Sequence, residues 1–144
     1  MYAGDIFYKQ EAAEITGCTL RQLQYWRERG VIVPVISDTG TGRSIYYSKP
    51  NLLELAAMSY WLSVGLSFDI ASTTLKKLKD QEPELFTSGK GKRFMLLSQA
   101  QERSLELVEF DRKKAIASLD AGKPVIPVWL DEIYQKLALK LGKS

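Results

Sequence analysis

The side chains whose types and spacing offer chemistry lie between Thr19 and Arg29. Arg21, Gln22, Tyr25 and Arg29 all donate hydrogen bonds to phosphates or base edges. An arginine can grip guanine with two bonds, a glutamine can do the same with adenine, and a tyrosine hydroxyl suits a phosphate oxygen. To act together they must share one face of a helix. At about 100° per residue, with Leu20 at zero, Leu23 falls at roughly 300°, Trp26 at roughly 240° and Arg27 at roughly 340°. The buried side therefore centres near 300°, and Arg21, Tyr25, Arg29 and Gln22 occupy the opposite side, between about 100° and 200°. Two leucines are too few for a helix that serves mainly as core. The alternative use of such a face is plain solvation, so its neighbours must decide between the two.

Other chemistries are thinly represented. The 144 residues contain no histidine, which removes the commonest general base and metal ligand and excludes Ser-His-Asp and Cys-His catalysis. No paired-carboxylate, nucleophile-base or phosphate-loop constellation stands out, so no enzymatic activity, metal or cofactor is expected. A single cysteine, Cys18, cannot form an internal disulfide. In the turn before a helix its thiol could be activated, but a small space-filling residue is the simpler reading. With 45% hydrophobic, 26% charged and 10% aromatic residues, the composition is that of a folded chain. No run approaches the roughly 18 apolar residues of a membrane span, and MYAGDIFYKQ lacks the regions of a signal peptide. A soluble, cytoplasmic, nucleoid-associated protein is the expectation.

The Arg21 face is held by the segments on either side of it. YKQEAAEITG predicts a short helix with Ala12 and Ile15 on one side and Gly17 as its stop. Thr19 is a good N-cap for Leu20 to Arg29, and Gly30 is placed to end that helix in a left-handed conformation. Two short helices joined by a turn containing glycine form a helix-turn-helix. VIVPVIS and RSIYY are β-prone runs separated by DTGTG, which predicts a hairpin wing. Ser48 can cap a helix through NLLELAAMSYWLSV to Gly65, and Ser67 can cap FDIASTTLKKLK with Asp69 in its first turn. The window from Gly17 to Lys49 holds five basic residues against two acidic ones, a net +3 that matches the excess of the whole chain. That charge and the helix-turn geometry favour a DNA-reading face over a solvated one.

The expected division is a DNA-binding domain over 1–80, a polar linker over 81–92 and a small C-terminal domain over 93–144. In the last part RFMLLS and SLELVEF read as strands, Asp111 as the cap of RKKAIASLDAG, VIPVWL as a buried strand and Asp131 as the cap of EIYQKLALKL. The result is a β-β-α-β-α unit. A competing reading makes 98–121 one continuous helix, a coiled-coil dimer arm. The β reading is preferred because LELVEF is β-branched and aromatic and Arg112 would interrupt the apolar seam. The whole is thus mainly α with small β (α+β).

The run ITGCTLRQLQYWRERGVIVP, the wing GRSIYYS and NLLELAAMSYWLSVGLSFDIASTTLKKL together resemble the DNA-binding domain of the MerR family of transcriptional regulators, over Ile6 to Leu78. The resemblance implies that the second helix enters the major groove and that the wing lies along the backbone. It places Tyr25 on phosphate with Trp26 packed beneath it, Arg21 early in the reading helix, and Arg43 in the wing contact. Thr19, Gln22, Arg29 and Lys49 complete the expected DNA-binding set. Double-stranded DNA, a second copy of the chain as a homodimer, and RNA polymerase at the promoter are the expected partners. Departures exist: Gln24 stands where the family often has arginine, and no second arginine lies near Ile45, which implies weaker phosphate affinity. No cysteine follows Cys18, which disfavours the metal sensing of some members.

Other readings of the same module are an architectural or excisionase-like DNA-bending factor and a protein-interaction adaptor without DNA binding. Several residues outside the motif have two uses each. Trp61 and Tyr60 read as core and domain-packing residues rather than ligand-stacking ones. KGKR, Lys90 to Arg93, reads as a solvated run rather than a phosphate track. Lys136, Lys140 and Lys143 read as the wet side of the last helix, whose stripe Ile133, Leu137 and Leu141 serves either the second domain's own core or a partner subunit.

Overall fold

The computed structural model describes residues 6–37, 44–98 and 105–142. The chain is α+β, with helices around two three-stranded antiparallel sheets. Strand β1 (Ile6–Tyr8) leads into α1 (Lys9–Thr16) and α2 (Leu20–Glu28). Strands β2 (Ile36–Ser37) and β3 (Ile45–Ser48) precede α3 (Lys49–Ser63) and α4 (Phe68–Gln81). A short α5 (Glu84–Ser88) is followed by β4 (Phe94–Ser98), β5 (Leu105–Glu109), α6 (Arg112–Asp120), β6 (Val125–Val128) and α7 (Leu130–Leu141).

The caps read from the sequence organise the first half. Gly17 ends α1 at φ 78°. Thr19 Oγ1 accepts from Gln22 N, and Gln22 Oε1 accepts from Thr19 N, both at 3.0 Å, a reciprocal capping box. Past α2, Gly30 takes φ 72° and the Val31 amide returns to the Trp26 carbonyl at 2.9 Å, closing the helix end. Ser48 and Ser67 cap α3 and α4.

Helix α3 is apolar nearly all round because it is enclosed on several sides, by α1, α4, α5 and α7. Leu52, Leu55, Met58 and Trp61 are fully buried along it. Its buried polar residues are Asn51 and Glu54. Asn51 Nδ2 bridges the Val33 carbonyl and Glu54 Oε1, while Lys79 Nζ reaches Glu54 Oε2 at 3.2 Å. Burial pushes the Glu54 carboxyl above its usual value, with Lys79 and Asn51 opposing. The folded chain thus holds this proton to a higher pH than the unfolded chain, and stability from this group falls as pH rises through the raised value. Glu54→Gln should remove that component: the stability gap between variant and wild type, followed by urea titration, should shift in the variant's favour from pH 4.5 to 7. A gap independent of pH would contradict it.

Several expectations need correction. Of the expected first helix only Tyr8 is displaced: it ends strand β1, where Phe7 and Tyr8 pair with Tyr47 and Tyr46 of β3, so that sheet runs β1-β3-β2. The run VIVPVIS contributes only Ile36 and Ser37 to the hairpin. Pro34 has no N–H to give a ladder, and the amides of Val31 and Ile32 are drawn back to Trp26. The stretch 81–92 carries α5, with Leu85 and Phe86 buried, so the hydrophobic core runs on into the C-terminal elements.

The C-terminal unit follows the β-β-α-β-α reading, with sheet order β5-β4-β6. Strand β5 occupies 105–109, so 98–121 is not one helix. Asp111 caps α6 as expected, accepting from Lys113 N and Lys114 N. Asp131 does not cap α7: the helix begins at Leu130, and Asp131 takes a forked pair of bonds from Arg93, at 3.0 and 2.7 Å, beneath a cation–π stack of Arg93 on Trp129. Leu137 belongs to the common core, with Ile133 and Leu141 packed against it, and α7 lies on α3 and α1. Lys140 is not on a purely wet side, because its Nζ donates to the Ile15 carbonyl at 2.8 Å. Lys143 lies outside the described residues. No helix among those described is long and apolar enough to cross a membrane.

Candidate nucleic-acid interface

Helix α2 divides its two aromatics between two environments. Trp26 is 2% exposed and packs in the core with Leu23, whereas Tyr25 is 43% exposed. Arg21 and Arg29 share the outer side with Tyr25. The angles computed from spacing alone place these residues the same way.

Tyr25 and Arg29 are organised before any ligand arrives. Arg29 Nη1 donates to Tyr25 Oη at 3.0 Å, and the guanidinium carbon lies 5.5 Å from the centre of the Tyr25 ring. Phe68, at the start of α4, completes the group: its ring stands 5.2 Å from that of Tyr25 and 5.6 Å from the Arg29 guanidinium carbon. Sequence spacing gave no sign of Phe68, because the contact joins elements some forty positions apart. Arg21 makes no hydrogen bond or ion pair among the described residues, so its five donors are available to a partner.

The remaining expected residues are more dispersed. Thr19 is exposed but its hydroxyl accepts the Gln22 amide, and the Gln22 side-chain oxygen is held by the same cap. Two-bond reading of adenine needs both the oxygen and the nitrogen of the amide, so Gln22 can offer only Nε2 unless the cap opens. Gln24 is tied to Glu28 at 3.0 Å. Arg43 lies outside the described residues. Lys49 starts α3 beside Phe7 and Leu53, near α7, and does not join the Tyr25–Arg29–Phe68 group. Leu20 is 44% exposed at the start of α2, an apolar neighbour of Arg21 that the arginine-and-glutamine pattern passed over.

An exposed arginine-tyrosine face on the second of two short helices joined by a tight glycine turn is the arrangement of a helix-turn-helix. The family model for MerR HTH family regulatory proteins matches residues 10–78. Residues 10–78 belong to the MerR helix-turn-helix family. Comparison with curated proteins returned no match. The match runs from α1 into α4, including the α4 start that carries Phe68, and a domain of this family suggests a DNA-binding transcription regulator.

Two basic residues of the run after α5 are engaged by carboxylates. In KGKR, Lys92 lies 3.8 Å from Glu109, and Arg93 is held by Asp131 and Glu132. Tyr60, read as packed, is 37% exposed, whereas Trp61 is fully buried. Arg27 turns inward, where its charge opposes the upward push that burial exerts on the Tyr47 phenol.

Cys18 fills the turn between α1 and α2. Its thiol is buried, approaches the Leu55 carbonyl at 3.5 Å and has its pKa raised by burial, against hydrogen bonds from Thr16 and Ser59. A raised pKa leaves little thiolate at neutral pH. Alkylating reagents should therefore leave Cys18 intact in the folded chain and modify it on addition of denaturant. Rapid labelling of the native chain, followed by mass spectrometry, would contradict this.

Proposed function

We propose that the chain is a sequence-specific transcriptional regulator that reads duplex DNA through α2 and holds the backbone with the wing. The observation that carries this is the outward Arg21–Tyr25–Arg29 surface, braced by Phe68 and backed by buried Trp26 and Leu23. Arg21 reads a base edge in the major groove, with Gln22 assisting through its amide nitrogen. Tyr25, Arg29 and Thr19 meet phosphates, while Arg43 in the wing and Lys49 at the start of α3 add backbone contacts. Residues 1–80 act as the DNA-binding part and 93–144 as the dimerisation or effector part.

Two copies bound to a dyad would place two α2 helices in successive major grooves. The reading places the protein in the cytoplasm at the nucleoid, with RNA polymerase as a partner at the promoter. Selection of genomic fragments by the purified full chain, followed by sequencing, tests it. Enrichment of dyad sites within promoters is expected. Recovery of fragments without a shared sequence, or no enrichment at all, would overturn the reading.

A further inference from the structure

A cleft of about 410 Å3 opens between the end of α2 and one flank of α4, lined by Arg29, Gly30, Ser72, Thr73, Lys76 and Asp80 among others. It adjoins the DNA-reading surface directly. Phe68 touches both Tyr25 and Arg29, and Ser72 and Lys76 follow it along α4 at spacings of four, on the same flank.

The charges in the cleft do not cancel within the chain. Lys79, at its rim, is tied to the buried Glu54 carboxylate at 3.2 Å and contributes no free charge. Lys76 is exposed and has no hydrogen bond or ion pair among the described residues, not even with Asp80 one turn on. Arg29 uses Nη1 on Tyr25, leaving its other guanidinium donors for a ligand. Ser72 Oγ donates to the Asp69 carbonyl at 3.3 Å, whereas the exposed Thr73 hydroxyl has no partner among the described residues. Asp80 and the partial negative charge at the end of α2 oppose an anion. Two full cations with free donors outweigh them.

We propose that this cleft seats a backbone phosphate of the bound duplex, held by Lys76 with the Thr73 hydroxyl and the remaining donors of Arg29. The inference rests on the DNA-reading role of α2. It extends the backbone contact from the reading helix onto the middle of α4, which makes Lys76 a second anchor of the same strand that meets Arg29. Such a contact carries no sequence information and fixes register instead.

The test measures binding of the full chain to a short random-sequence duplex over a range of salt concentrations. Lys76→Ala should reduce the steepness of the log–log salt dependence by about 0.9 and weaken binding alike on all sequences. Lys77→Ala, on the other side of α4, should leave the slope unchanged. An unaltered slope in Lys76→Ala, beside a reduced one in Arg29→Ala, would overturn this inference and leave the reading helix standing. No salt-dependent binding by the wild type would overturn both. Inorganic phosphate titrated without DNA should not saturate the cleft, as followed by the amide signals of Thr73 and Lys76. Saturation there, with the duplex slope of Lys76→Ala unchanged, would assign the cleft to a free anion and overturn the proposal.

Discussion

Trp26→Ala is expected to lose about 3–5 kcal/mol of stability, a cost typical of deleting a buried aromatic from a packed core. Trp26 is 2% exposed, shares the core with Leu23, and lends its carbonyl to the Val31 amide that closes α2. A domain of this kind has only about 5–15 kcal/mol in total, so the variant would stand near or beyond unfolding. Tyr25→Ala, one residue earlier, should cost far less, because much of the ring already faces solvent and its main contacts are Phe68 and Arg29. Urea titrations of the two variants check the contrast. A mild loss in Trp26→Ala together with a severe one in Tyr25→Ala would mean that α2 is rotated from the orientation described.

The second large effect concerns DNA. Arg21→Ala should weaken binding to a selected site by about 1–3 kcal/mol, roughly five- to 150-fold, and relax the preference at one base position. Arg29→Ala should instead weaken binding similarly on selected and random duplexes. The difference follows from placement: Arg21 points outward with no partner among the described residues, whereas Arg29 is held against Tyr25 and Phe68 at the end of the helix. Gln22→Ala is a mixed case, because it also removes the acceptor of the Thr19 amide in the capping box, one hydrogen bond worth about 0.5–1.5 kcal/mol. Its affinity should therefore be compared at equal folded fraction. Equal losses on selected and random duplexes for Arg21→Ala and Arg29→Ala, in parallel binding titrations, would remove the division between base and phosphate contacts.

Local signals made helix α2 and its neighbours legible from the sequence. Thr19, Gly30, Ser48 and Ser67 act on backbone groups within a few residues, so their capping roles follow from the sequence itself. The same holds for the division of Tyr25 from Trp26, which needs only helical periodicity. Gln22 shows the limit of that approach, since its type suits both a base edge and a capping box, and the cap claims its oxygen.

Features made by distant partners were not legible. Three residues are too few to announce β1, which exists because β3 offers it a ladder. Leu85 and Phe86 are hidden in a polar stretch, and only the surrounding helices explain their burial. Lys140 reaches the Ile15 carbonyl across 125 positions, and Phe68 joins Tyr25 only because α4 crosses the end of α2. The cleft at Lys76 belongs to the same class, created by two elements whose sequences say nothing of each other.

Groove reading by α2 is tested by the dependence of duplex affinity on salt for the purified full chain. If Arg21, Tyr25 and Arg29 form a groove-reading surface, the logarithm of the association constant should fall linearly with the logarithm of salt concentration, with a slope of about −0.9 for each phosphate neutralised. A flat line, or no binding to duplex DNA at low salt, would mean that Arg21, Tyr25 and Arg29 do not meet a duplex.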